Sequence, residues 1–135
     1  MTDSRHPSDW IPDGYDVHVV YTDAERAAAH ELYQRFIAYL DAEDIPYVRP
    51  ILFEDPVGPW PTSMWQILLR NEDSVAIERD LGRCVAWMMI NRGALSVMIH
   101  PNTTRDEEFG GGHADHSQYM LWMGSPQRLK LKIFS

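Results

Sequence analysis

His100 closes an apolar run, Ala94-Leu-Ser-Val-Met-Ile-His100, and Pro101-Asn102-Thr103 follow it at once. A second cluster, His113-Ala-Asp115-His116, lies just beyond a loop rich in glycine and charge. An earlier histidine, His18, sits inside Tyr15-Asp-Val-His-Val-Val-Tyr21. Histidine ligates metals and moves protons near neutral pH, so a strand that delivers one to the lip of a loop is a ready start for a site. Three imidazoles (His18, His100, His116), or two of them with Asp16 or Asp115, would suit a divalent metal. Two histidines and a carboxylate with open positions is the facial arrangement of non-haem Fe(II) oxygenases. The bland alternative is that His18 and His100 are satisfied polar residues lining a cleft. The His113-x-x-His116 spacing alone is a weak signal, and His6 and His30 read as surface residues.

The elements that must position these residues follow from periodicity. Residues 15–21 alternate as a strand, with Asp16, His18 and Val20 on one face and Tyr15, Val17, Val19 and Tyr21 on the other. The second face is apolar and should meet the helices, which leaves His18 on the opposite side. Thr22-Asp-Ala-Glu25 reads as a capping box opening a helix to about Asp41, with Leu32, Phe36, Ile37 and Leu40 as its buried stripe. A second strand over 45–53 contains Pro46 and Pro50, which suggests an edge or a bulge. Residues 54–61 hold three prolines and one glycine, so a rigid turn is expected.

A third strand covers 64–69. A second helix starts near Asp73 or Ser74 and ends at Asn91-Arg92-Gly93. Gly82, inside that helix, suggests close packing. Residues 94–100 form a fourth strand, 118–123 a fifth, and the alternating basic tail over 128–132 a further short one. The order β-α-β-β-α-β predicts a ferredoxin-like split βαβ fold of the α+β class, an antiparallel sheet with both helices on one face. The other face is left for a pocket or a partner. Residues 1–14 read as a flexible arm and 15–135 as a single domain.

Composition removes several function classes. A formal charge of −8 argues against a nucleic-acid binder and against an anionic membrane surface. No segment approaches the length of a membrane span, and the first ten residues lack the apolar core of a signal peptide, so a cytoplasmic protein is expected. The single Cys84 lies in an apolar helical stretch and reads as a buried, inert thiol. Trp60, Trp65, Trp87 and Trp122 are either core rings or the wall of a pocket for a flat aromatic ligand. Arg49, Arg92 and Arg105 could each pair with a substrate carboxylate, although Arg92 also suits a helix C-terminus.

Four segments together resemble the DOPA 4,5-dioxygenase family: YDVHVVY (15–21), EDPVGPWP (54–61), WMMINRGALSVMIHPNT (87–103) and DHSQYMLWMG (115–124). The third block is the most specific. The resemblance implies a small ferredoxin-like domain, often a homodimer, that cleaves a catechol ring such as that of L-DOPA with non-haem Fe(II), or another divalent metal, and O2. It implies metal ligation by His18, His100 and His116, with Asp16 as a further donor. His116 or His113 would act as acid or base, with Tyr119 as a hydrogen-bond donor, and Trp60, Trp65 and Arg92 would hold the substrate. Trp60, Tyr119 and Asp16 each stand where many members carry histidine. A non-catalytic protein of the same fold, binding a small aromatic molecule or only dimerising, is the competing expectation.

Overall fold

The computed structural model describes residues 14–103 and 113–134. The elements in chain order are β1 (Gly14–Tyr21), α1 (Arg26–Ala42), β2 (Tyr47–Phe53), β3 (Ser63–Arg70), α2 (Ser74–Asn91), β4 (Ser96–Pro101) and β5 (Leu121–Met123). The sheet order is β2-β3-β1-β4-β5, and every neighbouring pair is antiparallel. This is the expected split βαβ sheet, extended at one edge by β5. Of the expected arm over 1–14, Gly14 opens β1 and the rest lies outside the described residues. The glycine-rich loop before His113, with Arg105, also lies outside them.

β1 is central and buried along nearly its whole length. Its odd positions make the main core, where Val17, Val19 and Tyr21 join Trp65, Ile67, Leu69, Val97 and Ile99 from the flanking strands. Ala29, Leu32, Phe36 and Leu40 of α1, and Ile77, Cys84 and Met88 of α2, cover that face. Both helices therefore pack on one side, because both apolar stripes are needed to remove this single face from water. The opposite face carries a smaller cluster, Val20, Trp60, Met64 and Met98, with Phe53, Met120, Trp122 and Leu129 packed against it. No helix covers it. Its cover comes from the proline-rich turn before β3 and from the segment after β5.

Local chemistry sets the ends of the elements. Thr22 and Glu25 form the expected capping box, with Glu25 accepting from the Thr22 N–H at 3.1 Å and the Thr22 hydroxyl at 3.2 Å, and a short 3-10 turn over Asp23–Glu25 precedes α1 proper. Asp73 caps α2 by accepting from the Val75 and Ala76 N–H groups at 2.9 and 3.0 Å. β2 is an edge strand with a register shift between Val48 and Ile51, where Pro50 lacks a donor and Arg49 adopts a φ of 54°.

Three expectations require correction. Gly82 is exposed, with nothing within 4 Å of where a Cβ would lie, so it permits no close packing. β5 is shorter than the expected 118–123, because the Gln118 and Tyr119 N–H groups bond back to the Ala114 carbonyl and keep the chain in a turn. The tail over 128–132 is not a strand. Its Lys130 N–H donates to the Pro59 carbonyl at 2.8 Å, and Leu131–Phe134 then winds into a 3-10 helix. The alternating leucines lay Leu129 on the second cluster instead of pairing with an edge.

Candidate metal centre

Strand register builds most of the site. Asp16 of β1 lies opposite His100 of β4, and His18 opposite Met98. Asp16, His18 and His100 therefore share the helix-free face, with Asp16 and His18 placed as alternation along residues 15–21 predicts. His116 comes to them from the turn before β5. All three histidines are buried, and one ligand atom from each lies within 4.8 Å of the others. The Nε2 atoms of His18 and His100 approach to 3.1 Å. Asp16 Oδ2 stands 3.4 Å from the first and 3.5 Å from the second.

The surrounding bonds orient these groups. His100 Nδ1 lies 3.0 Å from the Pro101 carbonyl. A carbonyl only accepts, so Nδ1 carries the proton and Nε2 is left with its lone pair facing the cluster. Asn102 Nδ2 donates to Asp16 Oδ1 at 3.0 Å and fixes that carboxylate. Asp115, fully buried, accepts from Thr103 Oγ1 at 2.6 Å and from the Thr103 N–H at 3.3 Å. Asp115 thus ties the turn carrying His116 to the chain that leaves β4.

Burial dominates the electrostatics. It pushes His18 and His100 below the usual histidine value, against the opposing pull of Asp16, so both rings stand neutral near pH 7. Burial alone would raise Asp16. The hydrogen bond and positive potential of His18, then His100 and Asn102, outweigh it and hold the carboxyl at about 2. Neutral imidazoles beside an ionised carboxylate are the protonation states that a divalent cation requires.

The donor set fits such an ion. Two nitrogens bound at right angles to one ion, each about 2.1 Å from it, lie roughly 3 Å apart, close to the His18–His100 separation. Two further buried polar atoms in the same cluster, His18 Nδ1 and Asn102 Oδ1, lack a hydrogen-bond partner.

Aromatic rings enclose the centre. Trp60 is buried, with its ring 4.2 Å from His18 and edge-on to His116 at 5.9 Å. Phe134 stacks on His116 at 4.8 Å.

The other residues expected at the site lie elsewhere. Trp65 sits under α1 on the helix face, where it packs on Tyr33 and Phe36 and donates to the Ala29 carbonyl at 2.8 Å. It faces this way because it pairs with Val19, one residue out of phase with His18. Arg92 caps α2 at the end of β4 remote from His100, donating to the Gly93 and Leu95 carbonyls. Gly124 makes room for its guanidinium, since a Cβ there would fall 2.9 Å from Arg92 Nη1. His113 is exposed and meets Ser117 Oγ at 3.2 Å. Tyr119 is half-buried in the turn after His116. Sequence reasoning gave no role to Asn102 or Phe134. Asn102 could be suspected from its place after His100-Pro101, whereas no periodicity or spacing points to Phe134.

Residues 15–133 match the Dopa 4,5-dioxygenase family. An "Uncharacterized 21.2 kDa protein" of Botryotinia fuckeliana is 30% identical over 128 residues. That match takes in 91% of this chain and 64% of the relative, so the chain spans less than two thirds of the relative's length. A solved structure from Nostoc punctiforme PCC 73102, described as a "putative dioxygenase", superposes with a TM-score of 0.68 at 27% identity and covers 90% of both chains.

Proposed function

The chain belongs to the Dopa 4,5-dioxygenase family, and on that premise we propose that it is an extradiol dioxygenase that opens a catechol ring of the L-DOPA kind. The observation that carries this reading is the convergence of three buried imidazoles on the helix-free face of the sheet, beside an ionised carboxylate. In this reading His18, His100 and His116 hold Fe(II), and Asp16 is the adjoining carboxylate. When bound there, the iron supplies Lewis acidity for the catecholate and redox chemistry with O2.

The chain's own groups have definable tasks. The Nδ1–H of His100, given to the Pro101 carbonyl, keeps Nε2 aimed inward. Asp16 Oδ2, ionised and fixed from behind by Asn102, places a fixed negative charge beside both His18 and His100, where it would favour a bound cation. Of the two histidines that could act as acid or base, His116 is needed as a ligand in this reading, and His113 is exposed beside Ser117. Trp60 supplies a flat wall for the substrate ring and keeps water from His18. The reading includes a homodimer in the cytoplasm, with the small aromatic substrate and O2 as the other partners.

The test is anaerobic loading with Fe(II), followed by L-DOPA or simpler catechols and O2. The expected result is a yellow ring-opened product that His100→Ala does not form. A second reading, a non-catalytic protein that binds a small aromatic molecule, draws on Trp60 packed directly against His18. Wild type and His100→Ala that both take up negligible iron, with retained binding of an aromatic probe, would favour it.

A further inference from the structure

The C-terminal segment looks from sequence like a loose basic tail. In the fold it crosses the helix-free face and ends against the histidine cluster. Leu129 packs beside Trp60 and Met64. The Lys130 N–H then bonds to the Pro59 carbonyl, one residue before Trp60. Leu131–Phe134 turns back as a 3-10 helix and lays the Phe134 ring on His116, 4.8 Å away with the planes 27° apart. His116 is thus enclosed on several sides. His100 lies at 4.1 Å, Phe134 covers one face, and Trp60 stands edge-on at 5.9 Å. His18 and His100 are set by neighbouring strands, whereas His116 rides on a turn. Its ring orientation therefore depends more on what packs against it. The family match ends at residue 133 and says nothing about Phe134.

We infer that Phe134 is a positioning residue for the metal centre: its stacked ring holds the His116 imidazole in the orientation that completes the three-histidine set. The inference rests on the metal-binding part of the reading above and does not depend on which substrate is turned over. Stacked aromatic pairs of this geometry stabilise one arrangement enough to change a binding constant several-fold. A ligand that must be ordered at the moment of binding weakens affinity by the cost of that ordering. Removing the ring while keeping an apolar filler should thus lower metal affinity without unfolding the chain.

The experiment titrates Co(II) into the full metal-free chain and follows the visible ligand-field bands, with the thermal midpoint measured in parallel. Four proteins are compared: wild type, Phe134→Leu, Phe134→Ala and Phe134→Tyr. The expected result is Co(II) affinity about fivefold weaker for Phe134→Leu and at least as weak for Phe134→Ala. Altered ligand-field bands should accompany the loss, and Phe134→Tyr should restore both affinity and spectrum. Should Phe134→Ala fail to fold, the contrast between Phe134→Leu and Phe134→Tyr decides alone. Wild-type affinity and spectrum in Phe134→Leu would overturn the inference and leave the metal centre standing. Equal loss in Phe134→Leu and Phe134→Tyr would also overturn it, by showing that the site answers to volume and not to a stacked ring. Failure of the wild type to bind Co(II) at all would overturn the metal centre, and this inference with it.

Discussion

At the scale of single residues, the cluster separates groups that would touch an ion from groups that aim them. Substitution should follow that division. His100→Ala removes a ligand and is expected to lower divalent-metal affinity by more than about 100-fold, whereas Asp115→Asn loosens the Thr103 tie behind His116 and should lower it about tenfold. Competition with a coloured chelator measures both, and equal losses would contradict the assigned roles. The same residues set a pH dependence. His18 and His100 titrate below their ordinary value of 6.5 in the folded chain, chiefly through burial. As pH falls below about 6.5 the unfolded chain takes up protons that the folded chain refuses, so stability declines until the lowered folded values are passed. The urea midpoint of the metal-free protein should accordingly be lower at pH 5.5 than at pH 7.5. A midpoint that stays level would mean that the two rings are not buried as neutral bases.

At the scale of elements, what could be read in advance depended on whether the signal was local. Alternation over residues 15–21 put His18 and Asp16 on one face, and the order of elements gave the sheet and the side on which the helices lie. The cap of α2 was equally local. Asp73→Ala frees two N–H groups and should cost about 1 kcal/mol, seen as a lower urea midpoint with an unchanged slope. Register across strands was not local. Trp65 looked like a pocket wall because it is aromatic, but its pairing with Val19 turns it to the other side of the sheet. The tail over 128–132 has the alternation of a strand, yet among the described residues it pairs with no strand, and the Pro59 carbonyl captures its backbone. The stacking of Phe134 on His116 depends on that capture, which is why the sequence carried no trace of it.

At the scale of the whole molecule, an ion bound by this cluster would tie together parts of the chain that are far apart in sequence. β1 and β4 supply two ligands from the middle of the sheet, and the turn at His116 supplies the third. Unfolding would separate all three, so binding should stabilise the fold by mass action, about 2.7 kcal/mol at a free metal concentration 100 times Kd. The chain carries its own reporter in Cys84, which lies on the opposite side of the sheet, fully buried on the inward face of α2. Burial, and then the charge of Asp80, pushes this thiol up to about 12, so the folded chain should not react with a maleimide at neutral pH. Labelling must then wait for opening of the main core. Where closing outpaces the reagent, the labelling rate follows the open population, and Co(II) at 100 times Kd should slow it about 100-fold. Because Cys84 shares no contact with the histidines, shielding by the bound ion does not account for such slowing. Labelling that proceeds at one rate with and without saturating Co(II) would show that the ion is not linked to the fold, and labelling within seconds in the native state would show that Cys84 is reached without global opening.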